Sequence, residues 1–126
     1  MTGAGTEEHP AACSTQVALT FGVGTRATEI RKHLDTFLFD LTDFLRDNGC
    51  TLIGHIKGLL DAGDSGQLFF SITSFTDGIR YKGNIAREIA EANLSLNTIV
   101  YGIRQASVEN AIQERLKRLC AETGKR

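Results

Sequence analysis

Apolar residues recur at steps of three and four from Ile30 to Leu45, the strongest periodic signal in the chain. Ile30, Leu34, Phe37, Leu38, Leu41, Phe44 and Leu45 form one continuous stripe, which predicts a long amphipathic helix. Thr25 or Thr28 is placed to cap its start. Gly49 stands just past its end, where left-handed backbone is easiest for glycine. Arg31, Lys32, Asp35, Asp43 and Asp47 fall on the opposite face, toward water. Ahead of this helix the pattern has a period of two. Val17, Leu19, Phe21 and Val23 point one way and Ala18, Thr20 and Gly22 the other, which predicts a half-buried strand over residues 16–23.

Downstream, Thr51–Asp61 and Leu68–Phe75 read as strands joined by the loop of residues 61–66. Asp77-Gly78 is a hairpin turn signal, and Ile79–Lys82 continues as a short strand, so the three strands predict an antiparallel meander. Ile85, Ala86, Ile89 and Ala90 have helical spacing, so a short helix is expected over Asn84–Asn93. Leu94–Ile103 reads as a strand. Ser107 is the expected cap of a last helix that turns Val108, Ile112, Leu116 and Leu119 inward. Residues 1–14 lack periodicity and read as a mobile tail, residues 15–120 as one domain, and residues 121–126 as a frayed end.

This order predicts a two-layer α+β sandwich. A mostly antiparallel sheet of about five strands carries the two long helices on one face. The strand–helix–strand opening favours a right-handed parallel crossover. The other face of the sheet is left open to solvent or to a partner.

Composition agrees with a folded domain and narrows its chemistry. The chain has 126 residues, 41% hydrophobic and 23% charged, near the globular average. Lys plus Arg is 14 and Asp plus Glu is 15, a net charge of −1, which disfavours a strongly basic nucleic-acid protein but not a local basic face. No apolar run approaches the ~18–20 residues that cross a bilayer. The N-terminus lacks the basic and apolar regions of a secretory signal. Cys13, Cys50 and Cys120 are odd in number and far apart, so free thiols in a reducing cytoplasm are expected.

Catalytic signatures are absent. Gly22-Val-Gly24-Thr25 resembles the start of a phosphate loop but lacks both the third glycine of a dinucleotide fingerprint and a Walker lysine. Ser71, Ser74 and Ser107 have no assignable base, and Asp61, Asp64 and Asp77 sit in turn contexts. No cofactor and no enzymatic activity are expected. Imidazole and thiolate are good metal ligands, which makes His55 and Cys50 weak metal candidates, with His33 on the long helix. No acidic cluster completes a site.

Two segments bear a likeness to a known family. Leu52-Ile-Gly-His-Ile-Lys57-Gly58 resembles the "LxRxKG" strand in the C-terminal domain of CobW-type GTPases. Asn97-Thr-Ile-Val-Tyr-Gly102-Ile103, followed by Ser107–Leu119, resembles that domain's final strand and helix. The likeness covers roughly residues 16–119. The family pairs this domain with a P-loop GTPase and serves cobalamin synthesis, nitrile hydratase maturation and zinc handling. Here the GTPase half and the Cys-x-Cys-Cys metal site are missing. The resemblance therefore implies a stand-alone accessory domain that binds a partner, a P-loop GTPase or a corrinoid- or metal-handling protein.

Alternation along the strands nominates a binding face for that partner. His55 and Lys57 share a face, as do Phe69, Ser71 and Thr73, then Arg80 and Lys82, then Asn97 and Tyr101. If these sets lie together on the open face, it is polar, somewhat basic and partly aromatic. The alternative ligands for such a face are a small anion, a nucleotide or single-stranded RNA. A homodimer is a third expectation, pairing through Leu94–Ile103 or Ile79–Lys82 as an edge strand.

Overall fold

The computed structural model describes residues 9–125. The first eight residues of the expected tail, residue 126, and the side chain of Val23 lie outside the described residues. The chain runs β1 (Ala11–Thr25), α1 (Ala27–Asp47), β2 (Leu52–Asp61), a short 3-10 turn at Gly63–Ser65, β3 (Gly66–Ile72), β4 (Arg80–Ile85), β5 (Ile89–Tyr101) and α2 (Gln105–Thr123). The five strands form one sheet in the order β1-β5-β2-β3-β4, and every neighbouring pair is antiparallel. The expected α+β sandwich and the β2–β3–β4 meander are both present. Among the described residues, no helix is long and apolar enough to cross a membrane.

The stripe of α1 explains the core. Ile30, Leu34, Phe37, Leu38, Leu41 and Leu45 are all buried against the inner face of the sheet, with Phe44 partly so. That face is built by alternation: Leu19 and Phe21 from β1, Leu94, Leu96 and Val100 from β5, Ile56 and Leu60 from β2, and Leu68 and Phe70 from β3. From α2, Val108, Ile112, Leu116 and Leu119 complete the layer. Each such side chain contributes roughly 1.5–3 kcal/mol by leaving water.

The helix ends differ from expectation at their starts. Arg26 and Arg104 hold the N-cap positions without side-chain cap bonds, and Ser107 lies inside α2. The C-terminus of α1 behaves as glycine chemistry dictates. Gly49 adopts φ +99°, and the Cys50 N–H returns to the Leu45 carbonyl at 2.9 Å. That six-to-one bond is the Schellman closure, and it folds Cys50 into the core.

Other boundaries also shift. β1 begins at Ala11, so residues 11–14 belong to the sheet rather than to a tail. α2 continues to Thr123, which is buried, so the fraying expected from residue 121 is not seen there. The segment expected as a short helix over residues 84–93 is instead the end of β4, a three-residue turn and the start of β5. Ile85 and Ile89 are both buried, but at the ends of two separate strands. Apolar spacing over so few residues fits either period.

The strand–helix–strand opening joins parallel strands, as predicted, yet β5 inserts between β1 and β2. This places the expected strand from Leu94 in the middle of the sheet, where it ends at Tyr101 rather than Ile103 and is paired on both sides from Leu94 to Val100. It is therefore not available as a dimer edge. Gly58 shows why a glycine is needed inside β2. A Cβ there would lie 2.0 Å from the Phe70 ring, which packs across the gap. Gly58→Ala forces that ring aside and is expected to cost about 1–3 kcal/mol, measured by chemical denaturation.

Candidate binding face

Strand register assembles the open face. Asn97 of β5 pairs with Lys57 of β2, Lys57 with Ser71 of β3, and Ser71 with Arg80 of β4. The next row is Ser95, Leu59, Phe69 and Lys82, and the one beyond is Asn93, Asp61, Gln67 and Asn84. The expected residues thus come together by pairing rather than by sequence proximity. Lys57, Arg80 and Lys82 surround Phe69 and Ser71. Phe69 is 47% exposed. These five side chains border a shallow, open trough of about 730 Å³.

The outlying candidates occupy the rim. His55 pairs with Ile99, one row beyond Lys57, and Tyr101 pairs with Leu52 at the far end of the face. Thr73 stands one position past the end of β3. Ser14 was not among the residues predicted for this face, because β1 was expected to start later. Its hydroxyl donates to the Asn97 side-chain oxygen at 2.5 Å. The alternation of Cys13, Thr15 and Val17 with Ser14 and Gln16 was the signal that could have found it.

No ion pair among the described residues includes Lys57, Arg80 or Lys82. Asp61, the nearest carboxylate along β2, is occupied by its own turn. It accepts from the Gln67 amide at 3.0 Å and from the Gly63 N–H at 2.9 Å, and these bonds hold its carboxyl below the usual range. Three exposed cations around an exposed ring therefore form a locally positive surface on a chain whose net charge is −1. Such a surface attracts anionic groups and offers an apolar contact at its centre.

The inner side of β4 has a different role. Tyr81 points to the helices and donates to Asp35 at 2.5 Å, with the Arg31 guanidinium over its ring at 4.2 Å. Burial, then the Asp35 bond, push the phenol well above its ordinary value near 10. The sign follows from linkage. The folded state holds this proton more tightly than the unfolded chain does. The contribution is therefore complete below about pH 10 and is lost as pH rises further. Tyr81→Phe is expected to cost about 1 kcal/mol at neutral pH and to flatten this alkaline decline, checked by denaturant melts across pH.

The metal candidates separate. Cys50 lies in the core, where burial raises its thiol and its Sγ donates to the Leu52 carbonyl at 3.4 Å, whereas His55 is on the open face. Among the described residues, no group of three His, Cys, Asp or Glu side chains is placed to hold a metal ion. Between the helices, Asp40 accepts from Arg118 at 2.8 Å, and Arg115 stacks over Phe44 at 4.7 Å. This cluster fastens α2 to α1.

No protein-family model and no curated protein matches the chain. Two solved structures are similar to it. One is a Zn(II)-bound triple mutant of YjiA GTPase, at 14% identity and a TM-score of 0.38. The other is Zn(II)-bound YjiA GTPase from E. coli, at 14% identity and a TM-score of 0.37. Each overlap takes in 82% of this chain and 29% of the GTPase chain. YjiA is a CobW-family GTPase. The likeness is partial and carries no YjiA residue or activity across to this chain.

Proposed function

We propose that this chain is a non-enzymatic interaction domain that docks an acidic surface of a partner protein on its open sheet face. The observation that supports this reading is the unpaired trio Lys57, Arg80 and Lys82 around the exposed ring of Phe69. Charges in such a place guide encounter and orientation, and a central aromatic supplies the apolar anchor. The resemblance of residues 52–58 and 97–103 to the CobW C-terminal domain gives the partner class: a P-loop GTPase or a corrinoid- or metal-handling protein. The test is capture from native extract on the wild-type domain and on the K57E/R80E/K82E variant. A specific protein of that class must be held by the first and lost from the second.

A second reading takes the same face as a site for a nucleotide or single-stranded RNA. Phe69 favours it, because an exposed ring flanked by cations stacks a base while the cations meet phosphates. A labelled single-stranded oligonucleotide separates the two readings by fluorescence anisotropy.

A further inference from the structure

The two edges of the sheet are built differently. β4 is six residues long and carries Arg80 and Lys82. β1 is fifteen residues long and contains no Asp, Glu, Lys, Arg or Pro. Free edges are normally blunted by short length, by charge or by proline. β4 has two of these protections and β1 has none.

Gln105 reveals which backbone groups of β1 point outward. Its side-chain oxygen accepts from the Ala12 N–H at 2.9 Å, and its amide nitrogen donates to the Ala12 carbonyl at 2.6 Å. Ala12 therefore turns its backbone away from β5. The register is unbroken from Ala11 to Thr20, and antiparallel ladders alternate bonded with non-bonded pairs. Ser14, Gln16, Ala18 and Thr20 share the orientation of Ala12. Unlike Ala12, they have no backbone partner on that edge among the described residues.

We propose that β1 pairs antiparallel with β1 of a second copy of this chain, across a two-fold axis at Val17, to give one continuous ten-stranded sheet. Symmetry argues for self-pairing over a foreign strand. A two-fold axis sets a strand against itself, so a charged strand repels its own copy. Centred on Val17, β1 sets Gln16 against Ala18 and Ser14 against Thr20, all neutral. The same operation on β4 would crowd Arg80 and Lys82 together. On the helix side of this edge, Thr15, Val17, Leu116, Lys117 and Cys120 line a trough of about 280 Å³. The second copy brings its own α2 alongside and covers it. Directly opposed residues point to the same face of a sheet, so both open faces look the same way.

Sedimentation of the full chain over a dilution series tests this. The expected species is a dimer, twice the mass of the chain, that dissociates on dilution. Ala18→Pro removes one outward N–H and leaves the β5 ladder intact, so the variant should keep its circular dichroism and become monomeric. Q16E/A18E sets Glu against Glu at both symmetry-related contacts and should weaken the dimer roughly tenfold or more. Mixing Q16E/A18E with Q16K/A18K should restore a heterodimer. A wild-type chain that stays monomeric at every concentration overturns the proposal. So does a dimer that Q16E/A18E leaves unchanged, or one that only R80E/K82E dissociates.

Discussion

Replacing Leu38 with alanine is expected to remove about 3–5 kcal/mol of folding stability. Leu38 is 0% exposed and sits mid-way along the α1 stripe, with Leu34, Leu41 and Leu45 on the same side. The loss has two parts: transfer of the deleted methyl groups, and the cavity left where neighbours cannot collapse. A sheet on one side and a helix on the other limit that collapse. A chain of this length has a total stability of roughly 6–19 kcal/mol, so the substitution removes a substantial share of it. The adjacent residue gives the contrast. Phe39 is 52% exposed, and Phe39→Ala should change stability by about 0.5 kcal/mol or less. Urea unfolding of both variants checks the pair. Equal losses would mean that the stripe does not face the sheet.

The same physics explains what could be read from the sequence. The α1 stripe is long enough for a period of 3.6 to be unmistakable, and Gly49 marks its end, so the helix was legible almost to its boundaries. The face residues were legible because alternation is local: His55 with Lys57, Phe69 with Ser71, Arg80 with Lys82. The β2–β3–β4 neighbours were legible too, through their short connections, but the place of β5 between β1 and β2 was not. Register depends on pairings between positions far apart in the chain, and the sequence offers no local mark for β5 entering between β1 and β2. The segment of residues 84–93 failed for a related reason. Ile85 and Ile89 are four apart, and only the sheet decides that each closes or opens a strand. Ser14 and the β1 edge were missed because small residues such as Ala11, Ala12 and Cys13 give a weak alternation signal. Their partner Gln105 is 93 residues from Ala12.

Reversing Lys57, Arg80 and Lys82 together to glutamate is expected to weaken binding on the open face by about a hundredfold or more, with little change in stability. The three side chains are exposed and unpaired, so their replacement breaks no ion pair seen among the described residues. The local charge passes from +3 to −3, since each substitution changes it by two. An anionic partner then meets repulsion where it met attraction, and Phe69 alone cannot hold it. Salt dependence identifies the partner. If phosphates of a single strand occupy the three cations, log K should fall with log[salt] at a slope of roughly −2, at about 0.7 per phosphate contact. If the partner is an acidic protein surface, the oligonucleotide should show no such slope and the captured protein should be lost on reversal. Retention of the same partner by the reversed face would remove the open face from any role in binding. The exposed ring and its cations would then be an ordinary solvated sheet surface, with β1 left as the edge on which association depends.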